Sequence, residues 1–146
     1  MRQRLFYFRA TLPIPDLQES TMNASLAIQL AAVSGFLSVA LGAFGAHGLK
    51  QRLAPEMLAI YRTAVEYQFY HALALLAVGV LIQQWGKGTA LTVSAVSFTV
   101  GMLVFSGSLY ILSITGIRWL GAITPIGGVA FLVGWVALAV AAYRVG

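Results

Sequence analysis

The sequence predicts an all-α integral membrane protein whose four helices pack as an up-down antiparallel bundle. Three observations predict this fold. Of the 146 residues, 60% are hydrophobic and only 9% are charged, whereas a soluble domain carries roughly 25% charged residues to face water. Four segments stay apolar over the roughly 20 residues that a helix needs to cross a bilayer. The connections between these segments are short, which makes consecutive helices antiparallel neighbours.

The four predicted spans are bounded by short segments that hold most charges and helix breakers. Basic residues lie singly at span ends, where side chains reach headgroups and water. The net charge of +5 therefore reflects basic residues that flank membrane spans. It predicts membrane lipids, and not nucleic acid, as partners. In the fourth span, Pro125 fits a helix start or a kink just after it, and Gly127 and Gly128 favour a local irregularity. The predicted spans are residues 24–46, 58–82, 89–114 and 119–143.

Residues 1–22 differ in kind from the single four-span domain predicted over residues 23–146. They contain three arginines and two prolines, and their apolar run is too short for a secretory signal. Two interpretations are open: a flexible tail that lies at the interface, or an upstream extension of a reading frame that begins at Met22. The positive-inside rule assigns an orientation only if translation starts at Met22.

Small residues recur at spacings of three and four in several predicted spans, which places them along one face of each helix. In lipid, such residues favour helix packing because they let two backbones approach closely. We interpret them as packing residues, and a narrow substrate path lined by glycine is the alternative. The residues are Gly35, Ser38, Gly42 and Gly45 in the first span, Gly101 in the third, and Pro125, Gly127 and Gly134 in the fourth.

The polar residues of the spans gather in one half of the predicted bundle. The ends of the first and third spans meet the starts of the second and fourth spans on the same side of the membrane, and the polar residues lie near these ends. The opposite half is mostly alanine, leucine, valine and isoleucine. The candidate polar cluster comprises His47, Arg62, Glu66, Tyr70, His71, Ser106 and Ser108.

Glu66 and His71 are the most informative members of this cluster. Arg62 is four residues from Glu66, so the two can pair along one helix face. Counting back about 20 residues from the end of the span puts Glu66 about one turn inside the membrane and His71 roughly 12 Å deep. Ionisable groups at such depth suggest function by default, and a cluster of His47, Glu66 and His71 is geometrically allowed.

A structural interpretation of His71 competes with the functional one. A neutral imidazole bonded to Ser106, Ser108 or a backbone carbonyl would hold the second and third spans together. Metal binding by the cluster is weakly indicated, because the two histidines are far apart in sequence and no HExxH-like spacing occurs. A proton relay is indicated about as weakly as metal binding. It is chemically reasonable since perturbed histidine and glutamate side chains titrate near neutral pH.

No motif in the chain identifies a reaction. The sequence has no G-x-S-x-G elbow, Walker loop or dinucleotide-binding fingerprint. It also has no cysteine, which excludes disulfides and thiolate chemistry. The sequence therefore predicts a protein that is not an enzyme, with no catalytic residues, no cofactor and no bound metal.

Four motifs in order resemble the domain-of-unknown-function family 423. They are GAFGAHGL at 42–49, YQFYHALALL at 67–76, FSGSLYIL at 105–112 and TPIGGVAFLVGW at 124–135. The resemblance covers residues from about 22 to 143 and implies a small multi-span protein of the bacterial inner membrane, with eukaryotic relatives among the transmembrane-256 proteins. It implies no activity, and it supplies no catalytic residues to transfer.

Two functions lead at this point, and a membrane enzyme that acts on lipid or quinone is a distant third. The leading hypothesis is a non-enzymatic accessory or organising component of the bacterial inner membrane, which acts through helix contacts with itself or with a larger complex. The alternative is a small transporter or channel for a proton, an ion or a small solute. In that case Glu66 and His71 line the path, Pro125 marks a broken helix, and the protein works as an oligomer.

Overall fold

The computed structural model describes residues 22–145, and all regular elements in this range are helical. The predicted tail, residues 1–22, lies outside the described residues except for Met22. The elements are α1 (Ala24–Phe44) with a following π-helical turn (Gly45–Leu49), α2 (Pro55–Trp85), α3 (Thr89–Gly101) with a following π-helical turn (Met102–Ser106), α4 (Gly107–Thr115), a 3-10 helix (Arg118–Ala122) and α5 (Thr124–Val145).

These elements form four spans that are long and apolar enough to cross a membrane. The first span joins α1 to its π turn, α2 is the second, and the third runs from α3 through its π turn into α4. The fourth joins the 3-10 helix to α5. The prediction of an all-α membrane bundle of four spans is confirmed, and each span ends within a turn of its predicted bound.

Local sequence signals set the ends of the helices. α1 begins after Asn23, whose side-chain oxygen accepts a hydrogen bond from the Leu26 backbone N–H at 2.8 Å. α2 begins at Pro55, which lacks an N–H that would have no helical partner there. α2 stops at Gly86 and α4 stops at Gly116, whose φ angles are +80° and +72°. Glycine adopts this left-handed backbone without steric cost, so the chain can reverse sharply after each span.

Pro125 lies in the first turn of α5 and does not kink it. The helix begins at Thr124 and continues through Gly127 and Gly128, so the irregularity expected there is not found in this described helix. Proline is tolerated in a first turn because the N–H that it lacks needs no helical partner. The irregularity lies instead in the third span, where the π turn Met102–Ser106 separates α3 from α4.

α2 is the central helix of the bundle. α1 packs almost entirely on α2, whereas α5 packs mainly on α3 and on the π turn that follows it. α2 also packs on α3 and α4 but touches α5 only slightly. Leu75, Val78 and Phe98 are fully buried where the second and third spans meet. The bundle is therefore filled at its centre, while α1 and α5 leave grooves beside α2.

Glycines let the fourth span approach the third closely. A Cβ atom at Gly127 would lie 2.8 Å from the Phe105 Cα atom and nearer still to its backbone nitrogen. A Cβ atom at Gly134 would lie 2.6 Å from the Phe98 ring. At Gly127 no side chain fits unless the helices separate, whereas at Gly134 the Phe98 ring would have to move. The structure places three of the predicted packing glycines at this interface: Gly101, Gly127 and Gly134.

The predicted packing glycines of the first span divide into two groups. Gly42 and Gly45 face α2, and a Cβ atom at Gly45 would lie 2.6 Å from the Tyr61 ring. Gly35 differs, because no atom of residues 22–145 lies within 4 Å of the position that its Cβ would take. Gly35 therefore makes no close helix contact with the described residues. The spacing of small residues alone does not reveal this difference, because Ser34 in the same turn accepts a hydrogen bond from Gln68 of α2.

Candidate functional site

The candidate polar cluster divides between two faces of α2. Glu66 and His71 are five residues apart, which puts their side chains about 140° apart around the helix axis. Glu66 is exposed beside α1, whereas His71 is buried toward α5. His47 is exposed in the π turn that ends the first span. The three side chains do not form one cluster, and within residues 22–145 no three histidine or acidic side chains come together as metal ligands.

The outer face of α2 is a stripe that the rest of the bundle leaves uncovered. Its members follow one another at alternating spacings of four and three residues, so they lie along one side of the helix. Its apolar side chains are partly exposed, and Leu73 is 51% exposed. Two charged side chains interrupt this apolar surface near one end. The outer face consists of Arg62, Glu66, Phe69, Leu73, Leu76 and Val80.

A shallow groove runs between this outer face and α1 at the level of Glu66. It comprises two adjoining cavities of about 120 and 350 Å³. Glu66 lines both cavities, with Gly42 in the first and with Ser38 and Tyr70 in the second. The groove exists because small residues of α1 face it, which leaves space beside the carboxylate. Tyr70, predicted to belong to the polar cluster, is exposed at this groove.

Glu66 has no polar partner in the part of the chain that the structure describes. Arg62 lies one turn away and makes no ion pair with it. A helical ion pair is weaker when the base precedes the acid, as it does here. Counting about 20 residues back from Ile82 puts Glu66 roughly 5 Å inside the hydrocarbon. A charged side chain at membrane depth is costly unless another group pairs with it.

His71 is held by two hydrogen bonds that define its tautomer. Its Nδ1 atom lies 2.8 Å from the Tyr67 carbonyl oxygen, and a carbonyl oxygen only accepts, so Nδ1 carries the proton. The Trp135 Nε1–H group donates to His71 Nε2 at 3.3 Å. The imidazole is therefore neutral and both of its nitrogens are occupied. A backbone carbonyl is one of the predicted partners, but the helix that His71 binds is α5 and not the third span.

Aromatic rings surround His71 and form the floor of a second groove. The imidazole stacks on Phe131 with ring centroids 3.5 Å apart and planes 10° apart. Tyr67 stacks on Phe105 with ring centroids 4.6 Å apart, and Trp135 meets the imidazole edge-on. These rings line an open groove of about 520 Å³ between α2 and α5. Its walls are almost entirely apolar, so its surface suits acyl chains.

Ser106 and Ser108 make no hydrogen bond to His71, contrary to the structural interpretation of the sequence. The Ser108 hydroxyl donates to the Phe105 carbonyl oxygen at 2.9 Å and lies 2.8 Å from the Thr124 hydroxyl oxygen. It therefore joins α4 to the start of α5. The Ser106 hydroxyl is buried and has no hydrogen-bond partner among the described residues. The direction in which each serine side chain points depends on its angle around the axis of the third span. The π turn in that span changes this angle.

A polar network that the sequence analysis missed joins the first, second and third spans through Gln68. The Gln68 Nε2 group donates to the Ser34 carbonyl oxygen at 3.0 Å, and the Tyr110 hydroxyl donates to Gln68 Oε1 at 2.9 Å. The hydroxyl of Ser38, a predicted packing residue, donates to the same carbonyl at 2.8 Å. The available signal was a single glutamine inside an apolar helix, since a buried amide needs partners.

The two sides of α2 therefore have different chemical capacities. On the His71 side of α2, the polar groups are hydrogen-bonded inside the bundle, and aromatic rings form the surface. The outer face presents a carboxylate and a guanidinium group, Glu66 and Arg62, that no group of the described chain satisfies. Such a pair can bind a complementary pair of charges or hydrogen-bonding groups from another molecule. This face is the candidate functional site.

Comparison with known proteins shows which other sequences this chain is similar to. The chain matches the family described as "Protein of unknown function (DUF423)" over residues 41–128. The UPF0382 membrane protein YwdK of Bacillus subtilis is 48% identical over 118 residues, which cover 80% of this chain and 95% of that protein. The UPF0382 inner membrane protein YgdD of Escherichia coli is 39% identical over 127 residues, which cover 84% and 93%. No solved structure gives a significant match.

Proposed function

We propose, from the premise that this chain belongs to the DUF423 family, that the protein is a non-enzymatic accessory or organising component of the bacterial inner membrane. It acts through contacts between its own helices and those of other protein molecules. The four candidate spans and the name of the Escherichia coli relative, an inner membrane protein, support the inner-membrane location. The observation that carries the function is the outward position of Arg62 and Glu66, which the described chain leaves unpaired.

The physical argument concerns the solvent that the outer face meets. Leu73 and Val80 are compatible with lipid, but acyl chains offer no hydrogen-bond donor or acceptor to Glu66. A helix of another protein can supply polar partners at that depth, and the α1–α2 groove beside Glu66 leaves room for its side chains. Intramembrane charges normally face protein or water for this reason. A protein contact at this face satisfies both charges at once.

The transporter or channel hypothesis has less support. It requires Glu66 and His71 to line one path, and they border separate grooves on two faces of α2. Both nitrogens of His71 are bonded inside the bundle. A proton path through His71 would need the Trp135 side chain to swing away first. The helix-contact hypothesis requires no such movement of a buried side chain.

Site-specific photocrosslinking in native membranes tests the proposed function. A benzoylphenylalanine at position 69 replaces one aromatic residue of the outer face by another, and Phe69 is 38% exposed. We expect a discrete protein adduct from this position, which disappears when Arg62 and Glu66 are both replaced by leucine. The matched control carries the same group at Leu103, which is 71% exposed on the third span. Lipid adducts alone at both positions would contradict the proposal.

A further inference from the structure

We infer that the outer face of α2 binds a second copy of this chain in a parallel dimer, in which Arg62 of each copy pairs with Glu66 of the other. This inference rests on the proposed function, because it identifies the partner of the same face. It is carried by charge complementarity within the stripe. One turn of α2 presents one base and one acid, both exposed and both without a partner among the described residues.

A second copy is the partner that this pair of charges fits best. A different protein must bring an acid and a base, one turn apart, at the same depth in the membrane. A second copy inserted in the same orientation brings both at that depth automatically. A two-fold interface is self-complementary, since each contact between two residues occurs twice. The four charges of the dimer then sum to zero.

The helical geometry brings the opposite charges together. Arg62 and Glu66 are about 40° apart around the helix and roughly 6 Å apart along it. They therefore lie on opposite sides of the line that runs along the helix through Leu73, each about 20° from it. A two-fold axis parallel to α2 places the Arg62 flank of one copy opposite the Glu66 flank of the other. The arginine side chain is long enough to cover the 6 Å offset.

The rest of the stripe continues the same contact toward the opposite side of the membrane. Spacings of three and four residues between apolar positions are those of a parallel coiled coil, in which side chains of one helix enter holes of the other. The α1–α2 groove leaves space beside Glu66 for a side chain of the second copy. Leu73 lies near the centre of the stripe and should meet the same residue of the second copy. The apolar contact positions are Phe69, Leu73, Leu76 and Val80.

Charge exchange between two tagged copies tests this inference. The chain has no cysteine, so a Leu73→Cys background reports contact between copies as a disulfide in native membranes. We expect rapid disulfide formation in this background when copper phenanthroline is added as the oxidant. Arg62→Glu alone or Glu66→Arg alone opposes like charges across the interface and should reduce the dimer at least about tenfold. Cysteine at Leu132, which is 66% exposed on α5, is the control and should form no disulfide.

Co-expression of the two single variants distinguishes the proposed pairing from a folding defect. One copy then carries two acids and the other two bases, so the mixed dimer regains both ion pairs. We expect mixed disulfides within about twofold of the unmodified yield, while each homodimer stays depleted. The double variant with Arg62→Glu and Glu66→Arg should also recover. Variants that retain their folded tryptophan fluorescence but fail to recover in the mixed pair overturn the inference.

The two proposals fail in distinguishable ways. If no Leu73→Cys dimer forms and the position-69 crosslink joins the chain to a protein of a different mass, the second-copy inference is wrong and the helix-contact function stands. If neither the disulfide nor a protein crosslink forms, both are wrong. If the disulfide forms equally at Leu132 and at Leu73, the contact is random collision and the inference is overturned.

Discussion

Replacing Gly127 with leucine is expected to separate the fourth span from the third and to lower the free energy of unfolding by about 3 kcal/mol. The reason is the close approach of Gly127 to the Phe105 backbone, where even a Cβ atom has no space. Backbone atoms cannot rotate away as a side chain does, so the two helices must move apart. Unfolding in mixed micelles of mild detergent and dodecyl sulfate, followed by circular dichroism, measures the loss.

The matched control is Gly35, which also lies inside a helix of the membrane domain. A Cβ atom at Gly35 meets no atom of the described chain within 4 Å, so Gly35→Ala should be neutral or slightly stabilising through helix propensity. Gly127→Ala should be destabilising despite the same gain in propensity. Equal effects of the two alanine substitutions would show that the third and fourth spans do not approach each other at Gly127.

Replacing His71 with alanine is expected to lower the free energy of unfolding by about 3 kcal/mol, as for a buried aromatic ring. The substitution removes the stack on Phe131 and leaves the Trp135 N–H group without its acceptor. It also opens a cavity between α2 and α5, which touch only slightly elsewhere. The same micelle titration measures the change, and the fluorescence of Trp135 should shift because its indole loses its hydrogen bond.

Two further substitutions separate the contributions at this position. His71→Phe keeps a ring against Phe131 but loses the hydrogen bond from Trp135, so its expected loss is smaller, about 1 kcal/mol. His47→Ala should have almost no effect, because His47 is exposed at the end of the first span. A His71→Ala protein as stable as the His47→Ala protein would mean that the imidazole is not part of the packed bundle.

The fold was largely predictable because its main determinant is the length of apolar sequence. A span must cross a hydrocarbon layer of known thickness, and charged residues such as Lys87 and Arg118 mark where it ends. Helix stops at Gly86 and Gly116 follow from their backbone freedom. The π turn at Met102–Ser106 carries no such signal, since one extra residue in a helical turn leaves hydropathy unchanged. Its consequence is that the third span presents different side chains before and after the turn.

The candidate site was predictable only in part. Residue type and depth singled out Glu66 and His71, but grouping them ignored the helical period, which separates residues five apart by about 140°. The hydrogen bonds of Gln68 and of Trp135 depend on which helix packs against which face of α2. That choice is made by tertiary packing, as at Gly42 and Gly127, and several packings satisfy the same hydropathy pattern.

Electron cryomicroscopy of the protein extracted together with its native lipid would test the central claim most directly. The claim is that another protein molecule, and not lipid, covers the outer face of α2. We expect helical density against the stripe from Arg62 to Val80, with side-chain density within ion-pair distance of Glu66. Acyl-chain density along the whole stripe, with Glu66 and Arg62 facing only lipid, would contradict the claim.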